Sequence, residues 1–258
     1  MSVIFCPLAS GSKGNCLYLK TEKSTILIDL GISFRQLQKR LFDINAKIED
    51  VDAILITHEH MDHISGLKVF FDNRKIPVLA NAETAKGIYR YLNRLLDFKI
   101  FTTNEEFSYN DVTIDPFTVQ HDTLDPVGFV IKTNKYKIGI CTDLGIATSL
   151  VKKKLKNCDL LYLEANHETE QVHICSRPDI YKERVLGRQG HLSNEQCAFL
   201  INEIHHDDLK YVYLAHLSSE CNSPKRALKT VNEILLKENK KVKLSVAHQD
   251  KISDVFRS

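Results

Sequence analysis

Residues 57–63 read Thr-His-Glu-His-Met-Asp-His, directly after the apolar run Ala53-Ile54-Leu55-Ile56. His58, His60 and His63, with Asp62 among them, crowd into six positions. Holding such groups close together is costly unless a positive ion binds them. His58 and His60 stand two apart, so on an extended or turning segment their rings face the same way. Asp62 and His63 follow after the turn and can reach a second ion. Imidazole and carboxylate suit zinc, manganese or iron(II). The competing reading is a solvated loop that happens to be rich in histidine. The apolar run before the motif constrains the fold further: a buried strand must deliver these side chains at its C-terminal end.

The surrounding pattern alternates short strands and helices. Strands are expected at Ser2–Cys6, Cys16–Lys20, Thr25–Leu30, Ala53–Thr57 and Pro77–Ala80. A second group is expected at Glu106–Ser108, Val112–Gln120, Val127–Lys132, Lys137–Thr142, Leu160–Glu164, Tyr211–Ala215 and Lys243–Val246. Helices are expected at Ser33–Leu41, Ile64–Asp72, Ala82–Leu95, Lys153–Leu155, Asn194–His205 and Pro224–Lys237. Residues 168–190 read as polar and irregular, with Pro178, Gly187 and Gly190, and are a candidate lid over the site. Two β-rich halves, each ending in helix-strand alternation, predict an α/β fold of two mixed sheets with helices on their outer faces. The 258 residues suit one domain spanning 1–258.

Composition narrows the functional classes. The chain is 43% hydrophobic and 26% charged, as an ordinary globular protein is. No apolar run approaches the ~20 residues needed to cross a bilayer. The N-terminal stretch lacks the features of a signal peptide. Seven cysteines without a Cys-x-x-Cys pair fit reduced thiols, so a cytoplasmic location is expected. A net charge of +2 does not announce nucleic-acid binding by itself. The basic runs Lys152-Lys153-Lys154 with Lys156, and Lys182, Arg184, Arg188, read first as solvated faces.

A two-ion site needs more ligands than one motif supplies. His121, Asp143 and His216 each follow a predicted strand, and Asp143 suits a carboxylate shared between two cations. The combination resembles the metallo-β-lactamase fold superfamily over the whole chain, including Asp29 after an early strand. That resemblance implies an αβ/βα four-layer sandwich with a binuclear site at one edge. It implies that His58, His60 and His121 hold one metal, that Asp62, His63 and His216 hold the other, and that Asp143 bridges them. Asp29 is then a supporting residue rather than a ligand. Glu164, in Tyr-Leu-Glu-Ala-Asn-His, and His191, in Gly-His-Leu-Ser-Asn, resemble the catalytic motifs of tRNase Z and its phosphodiesterase relatives. The pair is implied to protonate a leaving oxygen, the glutamate orienting the imidazole. Their structural alternative is a local network and a helix N-terminus.

No tRNA-gripping arm is apparent, and the stretch between Asp143 and His191 is too short for the extra domain of ribonuclease J. The compact YycJ (WalJ)-type nucleases match better. Their resemblance includes Ala9-Ser10-Gly11-Ser12-Lys13-Gly14-Asn15 and the later Leu-Ser-Ser-Glu-Cys-Asn-Ser-Pro. The early loop is either a turn or a source of backbone N–H groups and Lys13 for a phosphate. The expected activity is that of a metal-dependent phosphodiesterase and nuclease, with a metal-bridging hydroxide as nucleophile, oriented by Asp62. The resemblance implies a 5′-to-3′ exonuclease on single-stranded DNA, with a place in DNA repair and RNA as a further substrate. The alternative keeps the site and changes the substrate to a cyclic phosphodiester, a lactone or a thioester. A metal-stabilised scaffold is a third class, disfavoured because no ligand is missing. His167 and His173 read as solvent-exposed; His205, His206 and His248 have no motif support.

Overall fold

The computed structural model describes residues 3–258; Ser2, the expected start of the first strand, lies outside them. The first half contains strands β1 (Ile4–Ala9), β2 (Cys16–Lys20), β3 (Thr25–Ile28), β4 (Ala53–Leu55), β5 (Val78–Asn81) and β6 (Phe98–Phe101). Its helices are α1 (Phe34–Asp43), α2 (Met61–Ile64), α3 (Leu67–Asn73) and α4 (Ala82–Leu92). The second half contains β7 (Phe107–Tyr109), β8 (Val112–Thr118), β9 (Val127–Lys132), β10 (Lys137–Cys141), β11 (Leu160–Glu164), β12 (Tyr211–Ala215) and β13 (Lys243–Val246). Between them run α5 (Ser149–Leu155), α6 (Thr169–Ile174), α7 (Asp179–Leu186), α8 (Asn194–Ile204) and α9 (Pro224–Lys237), and β14 (Phe256–Arg257) closes the order.

The strands form two seven-stranded sheets, ordered β14-β1-β2-β3-β4-β5-β6 and β13-β12-β11-β10-β9-β8-β7. Both are mixed. In the first, β1, β2 and β3 pair antiparallel, and β3 to β6 pair parallel. In the second, β8, β9 and β10 pair antiparallel, and β10 to β13 pair parallel.

Alternation along the strands explains why four layers result. On β11, Leu160 and Tyr162 join the core between the sheets, while Leu161 and Leu163 join the core beneath α5, α8 and α9. On β3 and β4, Ile26, Ile28 and Leu55 face inward, while Leu27 and Ile54 pack under α1, α3 and α4. A strand apolar on both faces needs cover on both, and helices supply it. Large side chains such as Phe5 and Phe129 fill the central layer at 0% exposure. Truncating either to alanine would cost ~3–5 kcal/mol. The result is the expected sandwich of two mixed sheets flanked by helices.

Three local expectations are corrected. The helix expected over Ile64–Asp72 is broken into α2 and α3 at Gly66. A Cβ there would stand 2.1 Å from the carbonyl oxygen of Ile32, so only glycine lets the turn pass. Residues 168–190 are not irregular, since α6 and α7 occupy much of them. Their cores are small, with Val172 and Val185 the buried residues of the two helices, so no apolar stripe advertises them. The strand β6 was not expected; only Phe101 of its four residues is buried. All seven cysteines are free thiols. Among the described residues no helix is long and apolar enough to cross a membrane.

Candidate metal centre

The C-terminal ends of the parallel strands deliver the site. His58, His60, Asp62 and His63 follow β4, Asp143 follows β10, Glu164 ends β11 and His216 follows β12. His121 lies beyond β8, and His191 stands just before the capped start of α8, where Ser193 accepts from the Gln196 N–H. Every residue expected from sequence to be a ligand converges here. Ligand atoms of His58, His60 and His121 lie within 4.8 Å of one another, as do those of Asp62, His63 and His216. Asp143 joins His58 and His63 in one such group, and Glu164, His191 and His216 in another. The line of contact is continuous: His63 Nε2 stands 3.2 Å from Asp143 Oδ2 and 3.6 Å from Asp62 Oδ2. His216 Nε2 stands 3.5 Å from Asp62 Oδ2.

One pattern orients most of the imidazoles. The Nδ1 of His63 faces Asp29 Oδ2 at 2.7 Å, and that of His216 faces Glu164 Oε1 at 2.9 Å. The Nδ1 of His121 faces the Gln189 carbonyl at 3.1 Å, and that of His191 faces Glu164 Oε1 at 2.8 Å. Carboxylates and carbonyls only accept, so each Nδ1 carries a proton and each Nε2 is left for the site. His58 fits the same rule. Thr57 Oγ1 donates to Asp29 and accepts from His58 Nδ1 at 3.0 Å.

Those constraints meet a specific electrostatic situation. His58 Nε2, His216 Nε2 and Asp143 Oδ2 are buried without a hydrogen-bond partner. Buried orphans of this kind are costly unless something absent from the polypeptide pairs with them. Burial holds the His58 imidazole well below its usual range, so it is a neutral donor. Burial opposes charge on His63, but Asp29, Asp62 and Asp143 outweigh it and hold the ring well above its usual range. Burial likewise opposes the Asp143 carboxylate, and His216 and His63 overcome it, holding Asp143 well below its usual range. A concentration of carboxylates that forces protons onto buried imidazoles is a site built for cations. The donor set, imidazole nitrogen with carboxylate oxygen, fits divalent metals.

Asp29 is not a ligand. Its Oδ1 accepts from the Thr57 N–H at 2.9 Å, and its other bonds go to Thr57 Oγ1 and His63. Glu164 is fully buried and bonded on both oxygens. Oε1 takes His191 and His216, and Oε2 takes the N–H groups of Leu144 and Leu192, each at 3.1 Å. Burial works against its charge, yet His191 and His216 prevail and hold it down at about 2. The glutamate therefore orients a metal-facing histidine as well as His191, which sequence reasoning did not anticipate.

Other residues stand differently from expectation. The loop Gly11–Asn15 is a brace rather than a phosphate cradle. The N–H groups of Gly11, Lys13, Gly14 and Asn15 are already bonded, to Asn15 Oδ1, Gln249 Oε1, the Gly11 carbonyl and the Asp62 carbonyl. Asn15 Nδ2 also reaches Asp62 Oδ2 at 3.2 Å and His63 Nε2 at 3.0 Å. Sequence reasoning missed it because asparagine is an ordinary turn residue. Gly31 belongs to the same brace: a Cβ there would stand 1.6 Å from the Asp62 carbonyl oxygen. His167 is not solvent-exposed but 1% accessible, and burial pushes its imidazole down to about 4. His173 is exposed, as expected. Lys152 and Lys154 of the first basic run pair with Glu203 and Asp115.

The cluster opens into a cavity of about 220 Å³, walled on one side by Tyr181, Arg184 and Val185 of α7. Ser12, Asn166 and Ser218 line it elsewhere.

Comparison with known proteins agrees with this geometry. Residues 24–216 match the family described as Beta-lactamase superfamily domain. The chain is 33% identical over 237 residues to the Bacillus anthracis protein named exodeoxyribonuclease YycJ, covering 91% of this chain and 90% of that one. It is 35% identical over 232 residues to the Streptococcus pneumoniae (strain D39) protein named exodeoxyribonuclease WalJ, covering 88% and 86%. Among solved structures, the metallo-β-lactamase fold protein YhfI from Bacillus subtilis superposes with a TM-score of 0.74 at 15% identity. That superposition covers 100% of this chain and 99% of the other, a likeness of fold alone.

Proposed function

This chain belongs to the β-lactamase superfamily, and from that membership we propose that it is a two-metal phosphodiesterase acting as a 5′-to-3′ exonuclease on single-stranded DNA. The observation that carries the reading is the Glu164–His191 pair, hydrogen-bonded at 2.8 Å and set beside the metal-facing cluster. The names borne by the YycJ and WalJ relatives, each matched over most of its length, supply the substrate class.

His58, His60 and His121 would hold one divalent ion, Asp62, His63 and His216 would hold the other, and Asp143 would serve both. Zinc and manganese suit these donors, and iron(II) is accommodated. Such ions lower the pKa of water toward ~7 and offset charge growing on the phosphoryl oxygens. The polypeptide does the rest. The Asp62 carboxylate, steadied by Asn15, accepts from the attacking water and aims it. His191 in its imidazolium form, its Nδ1–H fixed on Glu164, presents Nε2–H to the cavity, delivers that proton to the leaving oxygen and is left neutral. Residues 168–190 act as the lid, since Tyr181, Arg184 and Val185 already form one wall of the cavity.

The test is incubation of purified protein with 5′- and 3′-labelled single- and double-stranded oligonucleotides, with manganese or zinc. Stepwise release from the 5′ end of single strands is expected. Hydrolysis of a cyclic phosphodiester, lactone or thioester without cleavage of any oligonucleotide would move the assignment to a small-molecule hydrolase.

A further inference from the structure

The two metal-facing sets are unequal in charge. Asp62 serves the set with His63 and His216, whereas His58, His60 and His121 are three imidazoles whose one carboxylate, Asp143, is shared with the other set. Beside that second set stands Asp122, whose Oδ1 lies 3.4 Å from His121 Nε2 and 4.0 Å from His60 Nε2. Two donors bound to one cation at ~2.1 Å stand ~3–3.5 Å apart. The separations already seen across the cluster, 3.2, 3.5 and 3.6 Å, are of this size. Asp122 therefore occupies a donor's place relative to His121 and lies only slightly wide of it relative to His60.

Its orientation is fixed from outside. Arg184 grips Asp122 by a fork, Nε to Oδ2 at 2.6 Å and Nη2 to Oδ1 at 3.1 Å. An arginine fork holds a carboxylate in one plane and leaves the second lone pair of each oxygen free. The Oδ1 lone pair so left is on the oxygen nearest the histidines. Arg184 lies on α7, and the same segment holds His121 through the Gln189 and Gly190 carbonyls, 3.1 and 3.3 Å from Nδ1.

We propose that Asp122 is an additional ligand of the metal ion held by His58, His60 and His121, set in place by Arg184. This supplies that set with a carboxylate of its own beside the shared Asp143. It also ties occupancy of that set to the placement of α7, because the helix and the residues just after it hold both the aspartate and His121. The inference rests on the two-metal part of the reading above and not on the nucleic-acid part.

The experiment is calorimetric titration of metal-free protein with zinc in the absence of any substrate, together with a crystal structure of the zinc-loaded protein. Wild type is expected to take up two ions. Asp122→Asn should weaken one of the two by ~10-fold or more and leave the other unchanged. The Asp122 Oδ1–zinc distance should be ~2.0–2.2 Å. Unchanged affinities in the variant, equal weakening of both ions, or a carboxylate more than ~3 Å from the metal would each overturn the proposal. Should Asp122→Asn fail to give a wild-type circular dichroism spectrum, Asp122→Ser is titrated in its place. A wild type that binds no zinc would overturn the two-metal reading itself, and so is distinguishable from failure of this inference.

Discussion

The two sheets run through the same order of strands, and each turns a corner with an aspartate. Asp29 follows β3 and Asp143 follows β10, the strands where each sheet passes from antiparallel to parallel pairing. Both residues adopt left-handed backbone angles, φ 61° and 55°. Aspartate tolerates that region better than most side chains. Yet the two carboxylates are used differently. Asp29 spends its oxygens on Thr57 and His63, inside the protein. Asp143 points an unbonded oxygen into the cluster. Equivalent backbone places thus yield one carboxylate that positions Thr57 and His63 and one that faces the cluster. Hydrogen-bond satisfaction, not sequence context, tells them apart.

That contrast can be broken by substitution. Asp143→Asn should remove high-affinity metal binding and lower turnover by ~10⁴-fold, the loss of several kcal/mol of charge stabilisation. Metal content by elemental analysis and turnover on an oligonucleotide check it, and a variant that keeps both ions would end the shared role of Asp143. His191→Ala should slow turnover by ~10²–10³-fold with metal content untouched. Lost metal in that variant would place His191 among the ligands instead.

The second half also buries a neutral imidazole outside the cluster. His167 has a folded pKa of about 4, against a usual value of 6.5. The unfolded chain therefore takes up the proton first as pH falls. His167 costs no stability above pH ~6.5, and stability is lost progressively as pH drops from there toward 4. The loss approaches ~3 kcal/mol. In metal-free protein, denaturant titrations at pH 7 and 4 should show a smaller drop for His167→Gln than for wild type. Equal drops would mean that the ring is not kept neutral. The smallest effect is expected from Asp29→Asn, which should weaken metal binding by ~10–100-fold through His63 and, by way of Thr57, His58. Excess zinc should restore its turnover, whereas it should not rescue Asp143→Asn, and a failure of that restoration would erase the distinction between the two aspartates.

Much of this was legible in the chain. Strands such as β11 and β12 announce themselves because both faces are apolar and polar residues bound them. The site residues were legible because imidazoles and carboxylates at strand ends have few structural uses. What stayed hidden depends on three-dimensional proximity. Asn15 is braced against Asp62 across distant sequence, and nothing in Gly-Ser-Lys-Gly-Asn distinguishes that role from a turn. The double duty of Glu164 depends on His216 arriving beside His191. The helices α6 and α7 bury too little to leave a periodic trace.

The division of the ligands between the sheets has a bearing on synthesis. His58, His60, Asp62 and His63 emerge with the first sheet, whereas Asp143 and His216 arrive only when β10 and β12 have joined the second. A chain cut short before β12 carries every residue of the cluster except His216. Such a fragment leaves Asp62 and His63 without the third member of their set, so the topology closes the cluster only when translation is nearly done.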